Sequence, residues 1–266
     1  MPTLRSNGIS LAYEITGSGP PLLLISGLGY GSWIWRRVAP LLAADHSVIT
    51  FDNRGAGGSD KPEGPYSTPQ MALDTAGLLD GLGVAGARVL GHSLGGLIAQ
   101  ELALARPDLV GRLILASTTH GGKDAVPIPP DALAVMLDRR GPPEELIGRG
   151  IAVATAPGWM AAHAAEVEEL VRYRLTSPVP PAAYAAQVAA GAAHDASQRV
   201  GRIDVPTLII SGDKDRVVPI ENATLLASKM KRSTPKLISN AGHLLPIEAP
   251  EALAAAVRAF LTELAS

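Results

Sequence analysis

The feature that most narrows what this chain can fold into is a series of short runs rich in leucine and β-branched residues. They are ISLAYEI at 9–15, PLLLIS at 21–26, SVITFD at 47–52, ARVLGHS at 87–93, RLILAS at 112–117, VPTLIISG at 205–212 and TPKLIS at 234–239. A strand with one wet face alternates polar and apolar residues, but a run such as PLLLIS has no polar face to offer. Such runs suit a parallel sheet covered by helices on both sides. Helical stretches do lie between them. In STPQMALDTAGLLDGLGV at 67–84 and SLGGLIAQELALARP at 93–107, apolar residues recur every three or four positions. The alternation predicts a doubly wound α/β sheet.

The rhythm stops between about His120 and Arg202, where no strand candidate occurs. This interval is alanine-rich, is broken at VPIPPDA, GPPEE and PVPPAAY, and carries Trp159, Met160, Val171, Tyr173 and Tyr184 as packing material. A structureless loop of that length is rare inside a compact domain, so the interval reads as an inserted helical lid. The expected organisation is a core of residues 1–119 and 203–266 with a lid over 120–202.

Bulk properties close off several function classes. With 47% hydrophobic and 18% charged residues, the chain has enough apolar surface to build a large core and is not a disordered one. Its 23 basic and 25 acidic residues leave no electrostatic footprint for nucleic acid or anionic lipid. The absence of cysteine removes disulfides, thiolate metal sites and a cysteine nucleophile. No apolar stretch reaches the length of a membrane span, and the start MPTLRSNGIS has no secretory pattern. A cytoplasmic protein acting on a small partner, with no nucleic acid or membrane, is the expectation.

Gly91-His92-Ser93-Leu94-Gly95 sits where an apolar strand turns into an amphipathic helix. A serine at so sharp a turn holds a strained backbone, and a glycine two residues away on either side lets neighbouring chain pass. Its hydroxyl projects from the sheet edge. The backbone N–H groups of Leu94 and Gly95 open the helix, so they present positive charge to a developing oxyanion. The alternative reading is a glycine-rich turn where Ser93 only caps the helix.

A serine nucleophile needs a base, and the base needs a third group to orient it. The segment GDKDRVVP after the sixth run supplies Asp213 and Asp215, and NAGHLLPIEAPE after the seventh supplies His243. His46 precedes a strand at the opposite edge, His92 leaves the turn in another direction, and His163 and His194 lie in the lid. His120 follows a strand at the correct edge and is read instead as lining the pocket, with His243 as base. Position alone leaves Asp213 and Asp215 open, since both lie just past a strand. LLLISGLGYGSW offers a loop whose backbone can approach the reacting centre at Gly27 and Gly29. Trp33 and Trp35 follow it, as core aromatics or as pocket walls.

Together these motifs resemble the α/β-hydrolase superfamily over nearly the whole chain outside the lid, most closely carboxylesterases and 3-oxoadipate enol-lactone hydrolases. The resemblance implies an α/β-hydrolase fold, a mostly parallel eight-stranded sheet flanked by helices with an inserted helical lid. It matches Gly212, Asp215 and Pro219 to a Gly-X-X-Asp-X-X-X-Pro loop, which makes Asp215 the orienting acid. It also implies that the Leu28 and Leu94 amides form an oxyanion hole, although Ser26 stands where many members have histidine. The stretch FDNRGAGGSDKP at 51–62 resembles a turn tied down by Asp52 and Arg54.

The function expected is serine hydrolysis of a small carboxylic ester or lactone through an acyl-enzyme on Ser93, with no metal and no cofactor. Trp33, His120 and Trp159 are expected to line the pocket, and Arg172 and Arg174 either reach a substrate carboxylate or are solvated. The same triad could serve a carbon–carbon bond hydrolase or a cofactor-free perhydrolase. A ligand-binding receptor built on this fold is the alternative from another class.

Overall fold

All seven runs form strands of one eight-stranded sheet in the computed structural model, which describes residues 1–138 and 140–262. The last four residues of the expected core, 263–266, lie outside the described residues. In chain order the elements are β1 (Thr3–Ser6), β2 (Ile9–Thr16), β3 (Pro21–Ile25), α1 (Ala39–Leu42), β4 (Ser47–Phe51), α2 (Thr68–Gly81), β5 (Ala87–His92), α3 (Leu94–Ala105) and β6 (Val110–Ala116). The helices α4 (Pro130–Leu137), α5 (Pro143–Ala154), α6 (Trp159–Ala162), α7 (Ala164–Thr176) and α8 (Pro181–Ala192) follow. The chain then returns through β7 (Thr207–Gly212), α9 (Glu221–Lys229), β8 (Ser233–Ile238), α10 (Leu245–Glu248) and α11 (Pro250–Thr262). The short first strand, β1, is not among the runs read from the sequence.

The sheet order is β1-β2-β4-β3-β5-β6-β7-β8, antiparallel at β1/β2 and β2/β4 and parallel from β4 through β8. Successive side chains of a strand point to opposite faces. Leu23, Ile25 and Val89 therefore join one apolar cluster while Leu22, Leu24 and Leu90 join the other, all fully buried. Each such side chain contributes about 2 kcal/mol of burial free energy. The edge strand β8 differs, being exposed along most of its length.

The strand order reverses at β3. From it the chain moves outward to β4 on one side, and later to β5 on the other. Loops leaving neighbouring strands at such a switch point diverge and open a crevice at their carboxyl ends. The glycine loop after β3 and the Ser93 turn after β5 border that crevice.

Among the described residues, five α-helices, α4 to α8, fill most of the stretch between β6 and β7, which is joined at one point by a bridge between Gly121 and Asp195. The proline clusters that punctuate this stretch prove to be helix starts: α4, α5 and α8 each carry proline in the first turn. Proline has no N–H to leave unpaired there, and its fixed φ already suits the helix.

At the chain's return to the core, Arg199 donates to both oxygens of Glu101 on α3, at 2.8 and 2.6 Å. His194 Nδ1 lies 2.9 Å from the Thr68 hydroxyl, and the ring is buried. Burial pushes its pKa from 6.5 down to about 4, against the opposing pull of Glu101. Between those values the unfolded chain takes up a proton that the folded chain refuses, so stability falls as pH drops through that window, by about 1.4 kcal/mol per pH unit. Replacing His194→Gln, which keeps a partner for Thr68, is expected to flatten the loss of urea stability between pH 6.5 and 4.5. An unchanged slope contradicts this account of His194.

Candidate active site

Ser93 joins β5 to α3 with φ 55° and ψ −119°, a conformation that L-residues rarely adopt. It costs about 1–3 kcal/mol and persists because the surroundings leave the chain no other path. A Cβ on Gly91 would lie 2.3 Å from the Gly95 carbonyl oxygen, and one on Gly95 would lie 2.2 Å from that of Ile25. Only glycine fits at either place. The turn is fastened to the sheet by Ser93 N–H donating to the Ala116 carbonyl at 2.9 Å and by the Thr118 hydroxyl donating to the Ser93 carbonyl at 2.8 Å.

Three loops converge above the carboxyl ends of β5, β7 and β8. His243 Nε2 lies 3.0 Å from Ser93 Oγ and its Nδ1 lies 2.9 Å from Asp215 Oδ2. The carboxylate can only accept, so Nδ1 carries the hydrogen and Nε2 is free to accept from the serine hydroxyl. The other oxygen of Asp215 accepts from the backbone N–H groups of Val217 and Val218, each at 2.8 Å, which fixes the carboxylate plane. The acid that meets His243 is thus Asp215, while Asp213 lies 3.7 Å from Lys214.

Holding His243 falls to two residues that the sequence pattern does not single out in that role. Glu248 on α10 accepts from Gly242 and Leu244 N–H, on both sides of His243, and from Ala156 N–H in the insertion, at 2.7–3.0 Å. Burial pushes its carboxyl up, and these three donors oppose that. His92, set aside as base, donates Nε2–H to the His243 carbonyl at 2.8 Å. Burial, with His243 close by, drives its pKa down to about 3, so it stays a neutral strut against the His243 ring. The insertion contributes again, as the Ala154 carbonyl accepts from His243 and Leu244 N–H.

Across the crevice, Gly27 comes so close that a Cβ there would be 3.2 Å from that of Ser93. Leu28 and Leu94 both border the turn, and the Leu94 N–H belongs to the first helical turn, which the helix itself cannot pair. Ser26 braces the loop: it accepts from Trp35 Nε1 at 3.1 Å and donates to the Gly31 carbonyl at 3.3 Å. Asp52 ties the next turn through Ser32 and Gly58 N–H, at 2.6 and 2.7 Å, and Arg54 pairs with buried Asp74.

A cavity of about 150 Å³ opens onto Ser93 and His243, walled by Val135, Met136, Ile147, Ile151, Leu170 and Leu244 among others. The three aromatic residues expected to line it do not. Trp33 stacks on Tyr173 at 5.0 Å and meets Tyr30 edge-on, one layer behind the wall. His120 is fully buried with Nδ1 bonded to the Gly121 carbonyl at 2.7 Å, and Trp159 stacks on His163 at 4.7 Å. Their size and position in the chain suggested a wall, but each finds an aromatic or backbone partner elsewhere. Of the two arginines considered, Arg172 is exposed beside Glu169, while Arg174 borders the cavity.

The strain at Ser93 has a measurable consequence. Glycine adopts this backbone at little steric cost, whereas alanine keeps the clash. Ser93→Gly is expected to unfold in urea with a stability about 1 kcal/mol above that of Ser93→Ala. Equal stability, or the reverse order, contradicts a strained turn.

Comparison with known proteins gives the family. The family model described as alpha/beta hydrolase fold matches residues 20–250. A protein of Azorhizobium caulinodans named as carbamate hydrolase RutD is 34% identical over 227 residues, 85% of each chain. Among solved structures, the enol-lactonase from Burkholderia xenovorans superposes with TM-score 0.86 at 27% identity, covering 98% of this chain and 100% of that one. A thermophilic esterase from Thermogutta terrifontis does so with TM-score 0.85 at 28% identity, covering 98% of both. The chain belongs to the α/β-hydrolase family.

Proposed function

We propose that this chain hydrolyses a small carboxylic ester or lactone through an acyl-enzyme on Ser93, with His243 as base, Asp215 as its orienting acid and the Leu28 and Leu94 amides as oxyanion hole. The observation that carries the reading is the unbroken hydrogen-bonded series from Asp215 through His243 to a serine held on a strained turn facing an apolar cavity. Similarity to an enol-lactonase and to an esterase supports the same class of bond.

In this mechanism the Ser93 hydroxyl gives its proton to His243 Nε2 as Oγ adds to the substrate carbonyl carbon. Asp215 stabilises the imidazolium that forms and keeps the ring in its reactive tautomer. The carbonyl oxygen, now an anion, lies between two backbone N–H donors, each worth about a hundredfold or more in rate. Collapse of the tetrahedral species returns the proton from His243 to the departing alkoxide and leaves the acyl group on Ser93. Water then repeats the sequence with the same base, and the acid is released. Residues 120–202 act as the lid, and the side chains of α4, α5 and α7 that wall the cavity favour a short or medium apolar acyl group over a highly charged one.

A second reading has an observation of its own: the similarity to a protein named as a carbamate hydrolase. A carbamate carbonyl accepts the same addition, with nitrogen or oxygen leaving in place of a simple alkoxide. One panel of nitrophenyl esters of rising acyl length, lactones and carbamates separates the two by kcat/KM. Ester or lactone turnover is expected to exceed carbamate turnover, and Ser93→Ala is expected to lower it by about 10⁴-fold or more. Full activity in Ser93→Ala removes the mechanism, and a preference for carbamates moves the substrate class to the second reading.

A further inference from the structure

The loop expected to stabilise the oxyanion is held by the insertion. Gly29 follows Leu28, and its N–H donates to Gln187 Oε1 at 2.9 Å while its carbonyl accepts from Arg174 Nη1 at 2.6 Å. Gln187 belongs to α8 and Arg174 to α7, more than 140 residues further along the chain in each case. The other end of the Gln187 amide donates Nε2–H to the Arg54 carbonyl at 2.8 Å. Its orientation is therefore unambiguous: the Gly29 N–H demands an oxygen and the Arg54 carbonyl demands a nitrogen.

Gln187 is 1% exposed, so each of its polar ends is costly to leave unpaired. Arg174 Nη1 would lie 3.2 Å from a Cβ on Gly29, its guanidinium is stacked over the Tyr30 ring at 4.8 Å, and no carboxylate partner for it occurs among the described residues. Gly29 itself has φ +70°, with the Tyr184 ring 2.8 Å from where its Cβ would be. With both polar groups of Gly29 fixed from above, the peptide plane after Leu28 has one orientation. A residue that fixes the plane beside an oxyanion donor sets the aim of that donor.

We infer that Gln187, seconded by Arg174, is the positioning residue for the oxyanion loop, so that the hole is complete only while α7 and α8 are seated on the core. This rests on the reading of Ser93 and Leu28 given under the proposed function. Unlike residues that touch substrate, Gln187 acts through the Gly29 amide. Its loss therefore weakens transition-state binding and leaves ground-state binding alone.

The test uses the full-length protein carrying Gln187→Met, which preserves volume and removes both hydrogen bonds. Four quantities are measured: kcat and KM for a nitrophenyl ester, inhibition by an alkyl boronic acid whose tetrahedral adduct with Ser93 places an oxygen in the hole, and hydrogen exchange of the Gly29 amide in the resting protein. The expected result is a kcat lowered tenfold or more, a KM within twofold, boronate inhibition weakened by the same factor as kcat, and faster exchange at Gly29. A kcat within twofold of the parent, or a kcat loss without weaker boronate binding, overturns the inference. Arg174→Met, at a half-buried position, is expected to show the same pattern at several-fold size and serves if the Gln187 variant does not fold. If the parent neither turns over esters nor binds the boronate, the reading of Ser93 fails. Gly29 exchange then still decides whether Gln187 holds the loop, and an unchanged rate overturns that too.

Discussion

One steric constraint underlies everything at this site: three backbone segments pass so closely at the carboxyl ends of β3 and β5 that side chains cannot fit between them. Gly91 abuts Gly95, and Gly95 abuts the end of β3. The chain therefore turns at Ser93 through a left-handed conformation that serine would not choose. The same crowding that imposes strain exposes the hydroxyl, brings Gly27 against it and opens a helix beside it. Because the strand order reverses between β3 and β5, this happens where neighbouring loops part and leave room for a ligand.

Geometry of the remaining groups follows from sheet order. Residues after β5 and β7 emerge on nearby strands, whereas His243 comes from the edge strand β8 and has to reach back across two others. A long reach needs fastening. Glu248 fixes the amides on both sides of His243, His92 holds its carbonyl, and the end of α5 receives its N–H. The insertion thus touches the site in two places, at the His243 loop through Ala154 and Ala156 and at the glycine loop through Arg174 and Gln187. It also supplies much of the wall of the cavity beside Ser93.

How much of this was legible in the sequence depended on whether the governing physics was local. The runs of β3 to β7 were readable because a strand covered on both faces must be apolar throughout, and Leu22 through Ile25 is the plain case. The strand-turn-helix setting of Ser93, with an acid and a histidine after later strands, was readable because the fold forces loop ends to one edge. Strand β1 escaped notice because four residues, half of them exposed, carry no period. Glu248 and Gln187 escaped for another reason: each sits in a helix whose own pattern assigns it no task, and its partners are backbone groups brought near by tertiary packing. Trp33, His120 and Trp159 were placed in the pocket wall on size and chain position, and the structure pairs them with Tyr173, the Gly121 carbonyl and His163 instead. Proline clusters that looked like interruptions are where α4, α5 and α8 begin.

The most direct test of the central claim is the reaction of the intact protein with an aryl alkylphosphonate ester, followed by mass spectrometry of the whole chain and of its peptides. An activated serine adds to phosphorus, gives its proton to the neighbouring base and expels the aryloxide, leaving a stable tetrahedral adduct that turns over no further. The account predicts one adduct per chain, on the peptide carrying Ser93, formed at a rate that collapses when His243 is replaced by alanine. A protein that gains no adduct, or gains it on a serine other than Ser93, contradicts the account.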